Sequence, residues 1–441
     1  MSSPETRSIT STKLERIAWL SGRDREKRFD HVMHVFTEEA LAECYRSLDG
    51  KKAVGADGVT KERYGEDLEG NLKDLHQRLR MMAYRPGPVR EARIPKPGRA
   101  GKTRSLGISN LEDKIVQGMI HRVLAAIYEP LFLDCSYGFR PRRGAHDAVR
   151  DLHHYLYRHR VSTVIDVDLS RYFDSIDQQR LLEMVGKKLG DRRFLRYLSR
   201  QFKAGVLQQG ELSIQEDGVV QGSLCSPILA NVFAHTMIDE WFEETVKRHC
   251  RQAVALFRYA DDVVICCESE HDSVRVLKAL RHRLERFGLR LNEEKTRVVP
   301  FARPTGKAHP RTAFDFLGFT FYWGRSRNGH PIPKVKTSGA RLRASLRRVR
   351  EWASTVRNRR RLLAIWRTFC AKVRGHLRYY GVSFNHRALL RFIRRATHIL
   401  YKWLNRRSQR RSFTWKTFLR FMDQHPLPRP VIHVSLLAAV T

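Results

Sequence analysis

The chain has 441 residues, of which 83 are Lys or Arg and 46 are Asp or Glu, giving a formal net charge of +37. A basic excess of this size is typical of proteins that bind nucleic acid. The sequence has no run of 18 apolar residues and no apolar signal core at its N-terminus, so we expect no membrane partner and a cytoplasmic location.

The first chemically informative element is the segment at residues 161–169, rich in valine and isoleucine, which predicts a buried strand with acidic residues near its end. Asp166 and Asp168 are two residues apart, so in a strand they share one face. Asp168 is nearer the strand end, where distant segments commonly assemble a site, and it is a candidate metal ligand. An ion pair with one of the many arginines is the alternative for Asp168. A structural ion pair is the expected role of Asp166.

A loop followed by a helix is predicted from Gln221 onwards. Gly222 would let the backbone approach a ligand closely, and Pro227 suits the first turn of a helix. An ordinary loop and helix start explain the segment equally well. The apolar residues that recur at helical spacing are Leu229, Phe233, Met237 and Trp241.

Two apolar runs, residues 254–257 and 263–267, flank the pair Asp261-Asp262 and predict a β-hairpin with both carboxylates at its turn. Adjacent carboxylates repel each other, and Mg²⁺, which takes oxygen ligands, would remove that repulsion. An ordinary turn is the alternative, because Asp also favours turns through local hydrogen bonds. Together with Asp168, Asp261 would form a two-metal clamp for in-line phosphoryl transfer.

The C-terminal third is predicted to be a basic helical bundle preceded by a hairpin. Asn328-Gly329 predicts the hairpin turn. Residues 301–441 contain 32 Lys and Arg but only three acids, a net charge of +29. Residues 338–420 are expected to be helical, with apolar stripes facing a core and arginines facing water. The residues of the two stripes are Leu342, Leu346, Val349 and Trp352, and Leu362, Trp366, Phe369 and Val373.

The seven cysteines form no Cys-x-x-Cys pair. They therefore predict neither a zinc site nor a disulfide framework, and they are expected to be reduced thiols.

The ordered set of segments resembles the reverse transcriptases. Each motif is weak by itself, but the order and spacing are specific. The matching segments are Asp168 with Phe173 for polymerase motif A, residues 221–227 for motif B, 259–262 for motif C, 288–296 for motif D and 316–319 for the primer-grip motif E.

Within that class, the chain resembles the bacterial group II intron reverse transcriptase–maturase family. The resemblance covers roughly residues 54 to 430. Many members carry a C-terminal Cys/His endonuclease module, which this chain is expected to lack. The segments that carry the resemblance are residues 55–58, 94–98, 103–108, 136–141, 374–380 and 425–430.

This resemblance implies an α+β, right-hand polymerase of fingers and palm with an antiparallel palm sheet, followed by an all-helical thumb or maturase (X) domain. The expected divisions are an N-terminal extension (1–48), fingers (49–150), palm (151–320), a hairpin linker (321–337), thumb (338–420) and a tail (421–441).

The resemblance also implies roles for individual residues. Two Mg²⁺ ions would be held by Asp168, Asp261 and the backbone carbonyl of Leu169, one activating the primer 3′-hydroxyl and the other holding the triphosphate. Asp262 would support the site at its edge.

The implied nucleotide contacts surround these acids. Lys96 and Arg104 would contact the triphosphate, although either is also explained as a surface charge. Phe173 would be the steric gate that excludes a ribose 2′-hydroxyl, and Gln221 and Gly222 would line the nucleotide pocket. Lys295 would donate a proton to pyrophosphate, or is a simple surface lysine.

The predicted RNA-binding residues are Arg347, Arg348, Arg359 and Arg360 in the helical region, with Arg140 and Arg142 in the fingers. The expected function is RNA-directed DNA polymerisation combined with assistance to intron splicing and mobility. Its partners would be group II intron RNA or another RNA template, a DNA primer and deoxynucleoside triphosphates. A maturase with an unused polymerase site is one alternative, which the acids at 168, 261 and 262 argue against. A relative domesticated for repair or defence is the other.

Overall fold

A computed structural model describes residues 9–95, 103–208, 211–213, 218–219, 222–305, 312–407 and 413–437. Lys96 and Gln221 lie outside the described residues, as does the side chain of Arg104. In the parts of the chain that are described, every helix is too short or too polar to cross a lipid bilayer.

Fifteen α-helices are present in the described ranges. Several begin at a hydroxyl side chain that accepts a hydrogen bond from the first turn, as Ser338 does from Arg341 N. The helices are α1 (Ile9–Arg23), α2 (Glu38–Ser47), α3 (Lys61–Gly65), α4 (Leu68–Arg80), α5 (Leu111–Tyr128), α6 (Ala145–Arg158), α7 (Gln178–Lys188), α8 (Arg192–Phe202), α9 (Ser226–Ala234), α10 (Lys247–His249), α11 (Glu270–Arg286), α12 (Gly339–Val356), α13 (Leu362–Tyr380), α14 (His386–Leu404) and α15 (Trp415–Gln424).

The predicted helix after Pro227 is confirmed, with Pro227 in its first turn. It continues beyond α9 as two π-helical stretches, His235–Asp239 and Phe242–Val246, and ends at α10. π-Helical turns are rare and often occur at functional sites. Here the first of them contains Asp239, whose partner is described below.

The described strands form three sheets. Their orders are β2-β1-β4-β5, β6-β7-β3-β8 and β11-β10-β9. The strands are β1 (Val89–Pro95), β2 (Thr103–Ile108), β3 (Thr163–Asp168), β4 (Val206–Gln208), β5 (Glu211–Ser213), β6 (Val254–Tyr259), β7 (Asp262–Cys267), β8 (Arg297–Pro300), β9 (Ala313–Phe316), β10 (Phe319–Arg325) and β11 (Pro331–Thr337).

The central sheet, β6-β7-β3-β8, is antiparallel throughout, as predicted for the palm. Both of its faces are covered. Ile165 and Ile265 belong to a first hydrophobic core, while Val164 and Val264 belong to a second. A strand buried on both faces needs apolar residues at successive positions. This explains the successive apolar residues Val164 and Ile165 in β3 and the unbroken apolar run at 263–267 in β7.

The second core joins the central sheet to the helical region. The hairpin predicted at Asn328-Gly329 is confirmed, because Arg325 at the end of β10 pairs with Pro331 at the start of β11. The predicted helix stripes are also confirmed, since Val349 and Phe369 are buried in the second core. The described residues from 339 to 424 contain only helices and their connections.

Candidate active site

Three aspartates lie together at one end of the central sheet. β3 ends at Asp168 and β7 begins at Asp262, and these two residues are opposite each other in the antiparallel register. Asp261 immediately precedes Asp262, in the two-residue turn between β6 and β7. Directly opposed residues in a sheet have their Cβ atoms about 4.5–5.5 Å apart, so the carboxylates of Asp168 and Asp262 are neighbours.

The turn that presents these acids packs closely against the segment at residues 135–138. Ala260, the first residue of the β6–β7 turn, has a left-handed φ of +56°. A Cβ atom on Gly138 would come within 2.5 Å of Ala260 N. Tyr137 N donates to Arg258 O at 2.9 Å, and Arg258 N donates to Cys135 O at 2.8 Å. Part of the 136–141 resemblance segment is therefore the support for the acidic turn.

A buried arginine fixes the end of β6 just before the turn. The Arg258 side chain is 0 % exposed, and its Nε and Nη2 lie 2.7 and 2.6 Å from the two carboxylate oxygens of Asp239. Nη1 donates to Asn231 Oδ1 at 3.0 Å and to Ala260 O at 3.3 Å, and Nη2 donates to Ser136 Oγ at 2.7 Å. Burial opposes the charge, but the Asp239 carboxylate prevails and raises the pKa of Arg258.

This network was not foreseen. Its signal in the sequence is an arginine inside the otherwise apolar strand at 254–259. A charge is rarely buried without a partner, so Arg258 predicts a buried acid. The partner lies 19 residues earlier in the chain, and nothing local in the sequence identifies it as Asp239.

Asp261 and Asp262 line a water-accessible crevice of about 290 Å³. Its walls include Phe139, Arg341 and Tyr379. The crevice walls partly desolvate the Asp262 carboxyl, which raises its pKa to about 6, and the Asp261 and Asp168 carboxylates add to the rise. Desolvation and Asp168 also raise the pKa of Asp261. The smaller part of each rise comes from the neighbouring carboxylates, and a bound cation would relieve that mutual repulsion.

Two basic residues pair with the acids of β3. Lys295 Nζ lies 2.5 Å from Asp168 Oδ2, so the predicted proton donor contacts the predicted metal ligand. The partner of Asp168 is thus a lysine rather than one of the arginines. Arg297 Nη2 lies 3.8 Å from Asp166 Oδ2. The prediction that Asp166 forms a structural ion pair is confirmed, although Arg297 is largely exposed and such pairs contribute little to stability.

The donor set fits Mg²⁺ only together with a substrate. In the described ranges, no three His, Cys, Asp or Glu side chains are grouped closely enough to hold a metal ion by themselves. Mg²⁺ is commonly held by one or two carboxylates plus substrate phosphates. Asp168 and Asp261, at the end of the central sheet, are the residues that could supply those carboxylates.

Two of the predicted nucleotide contacts, Phe173 and Gly222, lie in connections between strands and helices. Phe173 is half-buried in the 3₁₀ turn Tyr172–Ser175, just after Asp168. Gly222 has a φ of +112°, and a Cβ atom there would lie 2.4 Å from Gly107 O. The close approach that requires glycine at position 222 is thus made to strand β2.

The predicted RNA-binding arginines divide into two groups. The Arg140 side chain is only 5 % exposed, pairs with Glu129 at 2.7 Å and donates to the carbonyls of Leu133 and Ser136. Its assignment to RNA binding is wrong, because its donors are already used inside the protein. Arg142 is exposed. The four arginines of the helical region are also exposed: Arg347, Arg348, Arg359 and Arg360.

Comparison with known proteins agrees with this geometry. The family model described as reverse transcriptase (RNA-dependent DNA polymerase) matches residues 94–321, more than half of the chain. Protein YkfC of Escherichia coli K12 is 32% identical over 383 residues, which cover 78% of this chain and 98% of that protein.

Other relatives are named for introns. Group II intron-encoded protein LtrA of Lactococcus lactis subsp. cremoris is 29% identical over 229 residues, covering 52% of this chain and 38% of that protein. A 91 kDa protein in the cob intron of Schizosaccharomyces pombe is 36% identical over 172 residues, which cover 39% of this chain and 21% of that protein. The predicted resemblance to group II intron reverse transcriptases is confirmed. The chain therefore belongs to the reverse transcriptase family and is an RNA-directed DNA polymerase.

Proposed function

We propose that this polymerase joins deoxynucleotides at Asp168, Asp261 and Asp262 with two Mg²⁺ ions, and that it also assists the splicing and mobility of a group II intron RNA. The observation that carries the first part is the register of the central sheet, which places Asp168 opposite Asp262 with Asp261 beside them. Primer extension on an RNA template, with Mg²⁺ supplied and then removed by a chelator, tests it.

The residues around the acids have separable roles in this proposal. When bound, the two Mg²⁺ ions would neutralise phosphate charge and promote ionisation of the primer 3′-hydroxyl. Asp168 and Asp261 hold them, together with the Leu169 carbonyl, and Asp262 supports the site from the first position of β7. Lys295 contacts Asp168, so it is within reach of a phosphate bound there and would protonate the leaving pyrophosphate.

Phe173 is proposed to act as the sugar gate. Replacing Phe173 by alanine or valine should let ribonucleotides into the site, because removal of the ring opens space for a 2′-hydroxyl. We expect discrimination against ribonucleotides to fall roughly tenfold or more, because a change of a few atoms in a binding pocket typically alters substrate discrimination by this factor. Single-nucleotide incorporation with each sugar measures it. Unchanged discrimination, with only thermal stability lowered, would make Phe173 a packing residue.

The proposed divisions are the extension, fingers, palm, hairpin linker, thumb and tail with the boundaries given above. Helices α12 to α15 would form the thumb or maturase domain. Support comes from α12 and α13, which supply Arg341 and Tyr379 to the walls of the acidic crevice. A duplex held at the acids would therefore touch this helical region.

The exposed arginines of α12 and the α12–α13 connection are proposed to bind structured RNA. Changing Arg347, Arg348, Arg359 and Arg360 together to Gln should weaken RNA binding and reduce its salt dependence. These four changes are called the α12 set below. Each lost phosphate contact lowers the slope of log affinity against log salt by about 0.7 on single strands, so four contacts remove about 3. Titrations between about 50 and 200 mM salt measure the slope.

A matched control changes four basic residues of α11 to Gln: Arg275, Lys278 and Arg286, which are exposed, and Arg281, whose side chain is 42% exposed. This control should leave the slope nearly unchanged. An equal effect of both sets would show that net charge alone governs binding. A slope unaltered by the α12 set would place the RNA surface elsewhere, with Arg142 and Arg143 of the fingers as the next candidates.

The intron half of the proposal has its own test. A group II intron RNA should splice faster with the protein present than without it, and the α12 set of changes should remove that gain. If RNA binding weakens while splicing is unaffected, the polymerase remains and the maturase role is dropped. The sequence that flanks the coding region distinguishes the domesticated alternative, which would lack a folded intron.

A further inference from the structure

A second cavity lies away from the acidic crevice and shares none of its lining residues. It has a volume of about 1010 Å³ and is enclosed by α6, the β10–β11 hairpin and the C-terminal segment at residues 432–437. Cavities of this order are large enough for small-molecule ligands. The proposed polymerase mechanism makes no use of it.

The cavity wall contains a buried hydrogen-bond acceptor with no protein partner. His153 is 2 % exposed and lines the cavity. Its Nε2 lies 2.9 Å from the Pro333 carbonyl, so Nε2 carries the proton and Nδ1 carries the lone pair. Nδ1 has no hydrogen-bond partner among the described residues. Burial lowers the pKa of His153 to about 4, which keeps the ring neutral. An unsatisfied buried acceptor costs stability, so its presence in the cavity wall marks this part of the fold as a candidate functional site.

Aromatic rings stand beside this acceptor. The Phe384 ring stacks against His153 with 5.8 Å between centroids and 30° between planes. Phe384 has a φ of +70°, a strained conformation for a bulky residue. Strain of this kind concentrates at functional sites, where the surrounding structure holds a side chain in place. Tyr157, at the edge of the cavity, is 52% exposed. A flat base could stack on the exposed Tyr157 ring or on the half-buried Phe384 ring.

The charge of the lining is entirely basic. Arg158, Arg325, Arg327 and Lys334 line the cavity, and no Asp or Glu is among the described lining residues. Arg158 and Arg327 are exposed at its edge. Lys334 Nζ lies 5.6 Å from the centre of the Phe384 ring. Basic groups beside aromatic rings are the combination that binds single-stranded nucleic acid.

We propose that this cavity binds one unpaired nucleotide of an RNA strand. The base would stack on Phe384 or Tyr157, next to the neutral His153 ring. The flanking phosphates would contact Arg158 and Arg327 at the edge, where the strand can continue across the surface. Proteins that read RNA commonly take up such splayed bases on aromatic side chains. The proposal depends on neither the metal site nor the basic surface of α12.

Photocrosslinking of the full-length protein tests the proposal. The probe is a single-stranded RNA octamer of uridine with one 4-thiouridine, and mass spectrometry locates the crosslinked peptide. We expect crosslinks to peptides that contain Tyr157 or Phe384. The double change Arg158→Gln and Arg327→Gln should reduce these crosslinks at least tenfold. Both arginines are exposed, so the fold should survive, and primer extension should be unchanged.

The control is the α12 set of four Gln changes, which should leave the cavity crosslinks in place. The proposal is overturned if crosslinks reach only other parts of the chain. It is also overturned if free uridine monophosphate competes as well as the octamer, since the site would then bind a mononucleotide and not a strand. A second readout is the ¹⁵N NMR signal of His153 Nδ1, which should shift when the octamer is added and stay fixed in the double variant.

Discussion

Replacing Asp261 by alanine should abolish nearly all primer extension while RNA binding is retained. The carboxylate is proposed to hold a catalytic cation, and a metal ion contributes several kcal/mol of transition-state stabilisation. Since about 1.4 kcal/mol corresponds to a factor of ten, extension should fall by roughly 10³-fold or more. Extension rates at saturating Mg²⁺ and nucleotide, together with RNA affinity, measure both halves of the prediction.

Asp134→Ala is a suitable control, because Asp134 is almost fully exposed and its side chain pairs with Arg143 at the surface. It should leave extension unchanged. Undiminished extension in Asp261→Ala would overturn the metal assignment. The same variant separates the two proposed activities, since splicing assistance should persist when polymerisation is lost.

Replacing Arg258 by methionine should destabilise the protein by about 3–5 kcal/mol, because the buried Asp239 carboxylate loses its two-bonded partner and keeps only the weaker neighbour His235, whose Nδ1 lies 3.8 Å away. The acidic turn should be disturbed as well, since Arg258 also donates to the Ala260 carbonyl. Urea unfolding measures the stability, and primer extension measures the effect on the site. Changing Asp239 to leucine in the same chain should restore much of the stability, since a buried pair can be replaced by apolar groups at little cost.

Arg281→Met provides a matched control. Arg281 and Glu293 form a two-bonded pair with the same chemistry, at 3.1 Å, but both side chains are exposed. Surface pairs contribute about 0–1 kcal/mol. If Arg258→Met lowers the free energy of unfolding by no more than Arg281→Met does, then Arg258 does not stabilise the end of β6, and its contacts to the turn do not contribute to stability.

The parts of the fold that sequence reasoning predicted are those with a local signature. The β6–β7 hairpin follows from two apolar runs around a polar turn, and the helix after Pro227 follows from apolar spacing and a proline at its start. The stripes of α12 and α13 follow from periodicity alone. In each of these the residues that decide the structure lie within about 20 positions of one another.

The parts that were missed depend on contacts between distant segments. The support that Gly138 gives to Ala260 joins residues more than 100 positions apart. Arg140 was assigned to RNA because it is an arginine in a basic chain, and only the fold shows that Glu129 and two carbonyls enclose it. The pairing of Lys295 with Asp168 spans 127 positions. Counts of charged residues predict the sign of the net surface charge, but they do not show which of those residues lie on the surface.

The central sheet is covered on both faces, and this has a consequence for dissecting the protein. The region that matches the family model ends at residue 321. One face of the sheet, with Val164 and Val264, is covered by a core that extends to Leu436. A fragment cut at residue 321 would therefore expose an apolar face and be prone to aggregation. The boundary of the family model is not a limit of autonomous folding, and a minimal active fragment must retain the helices beyond it.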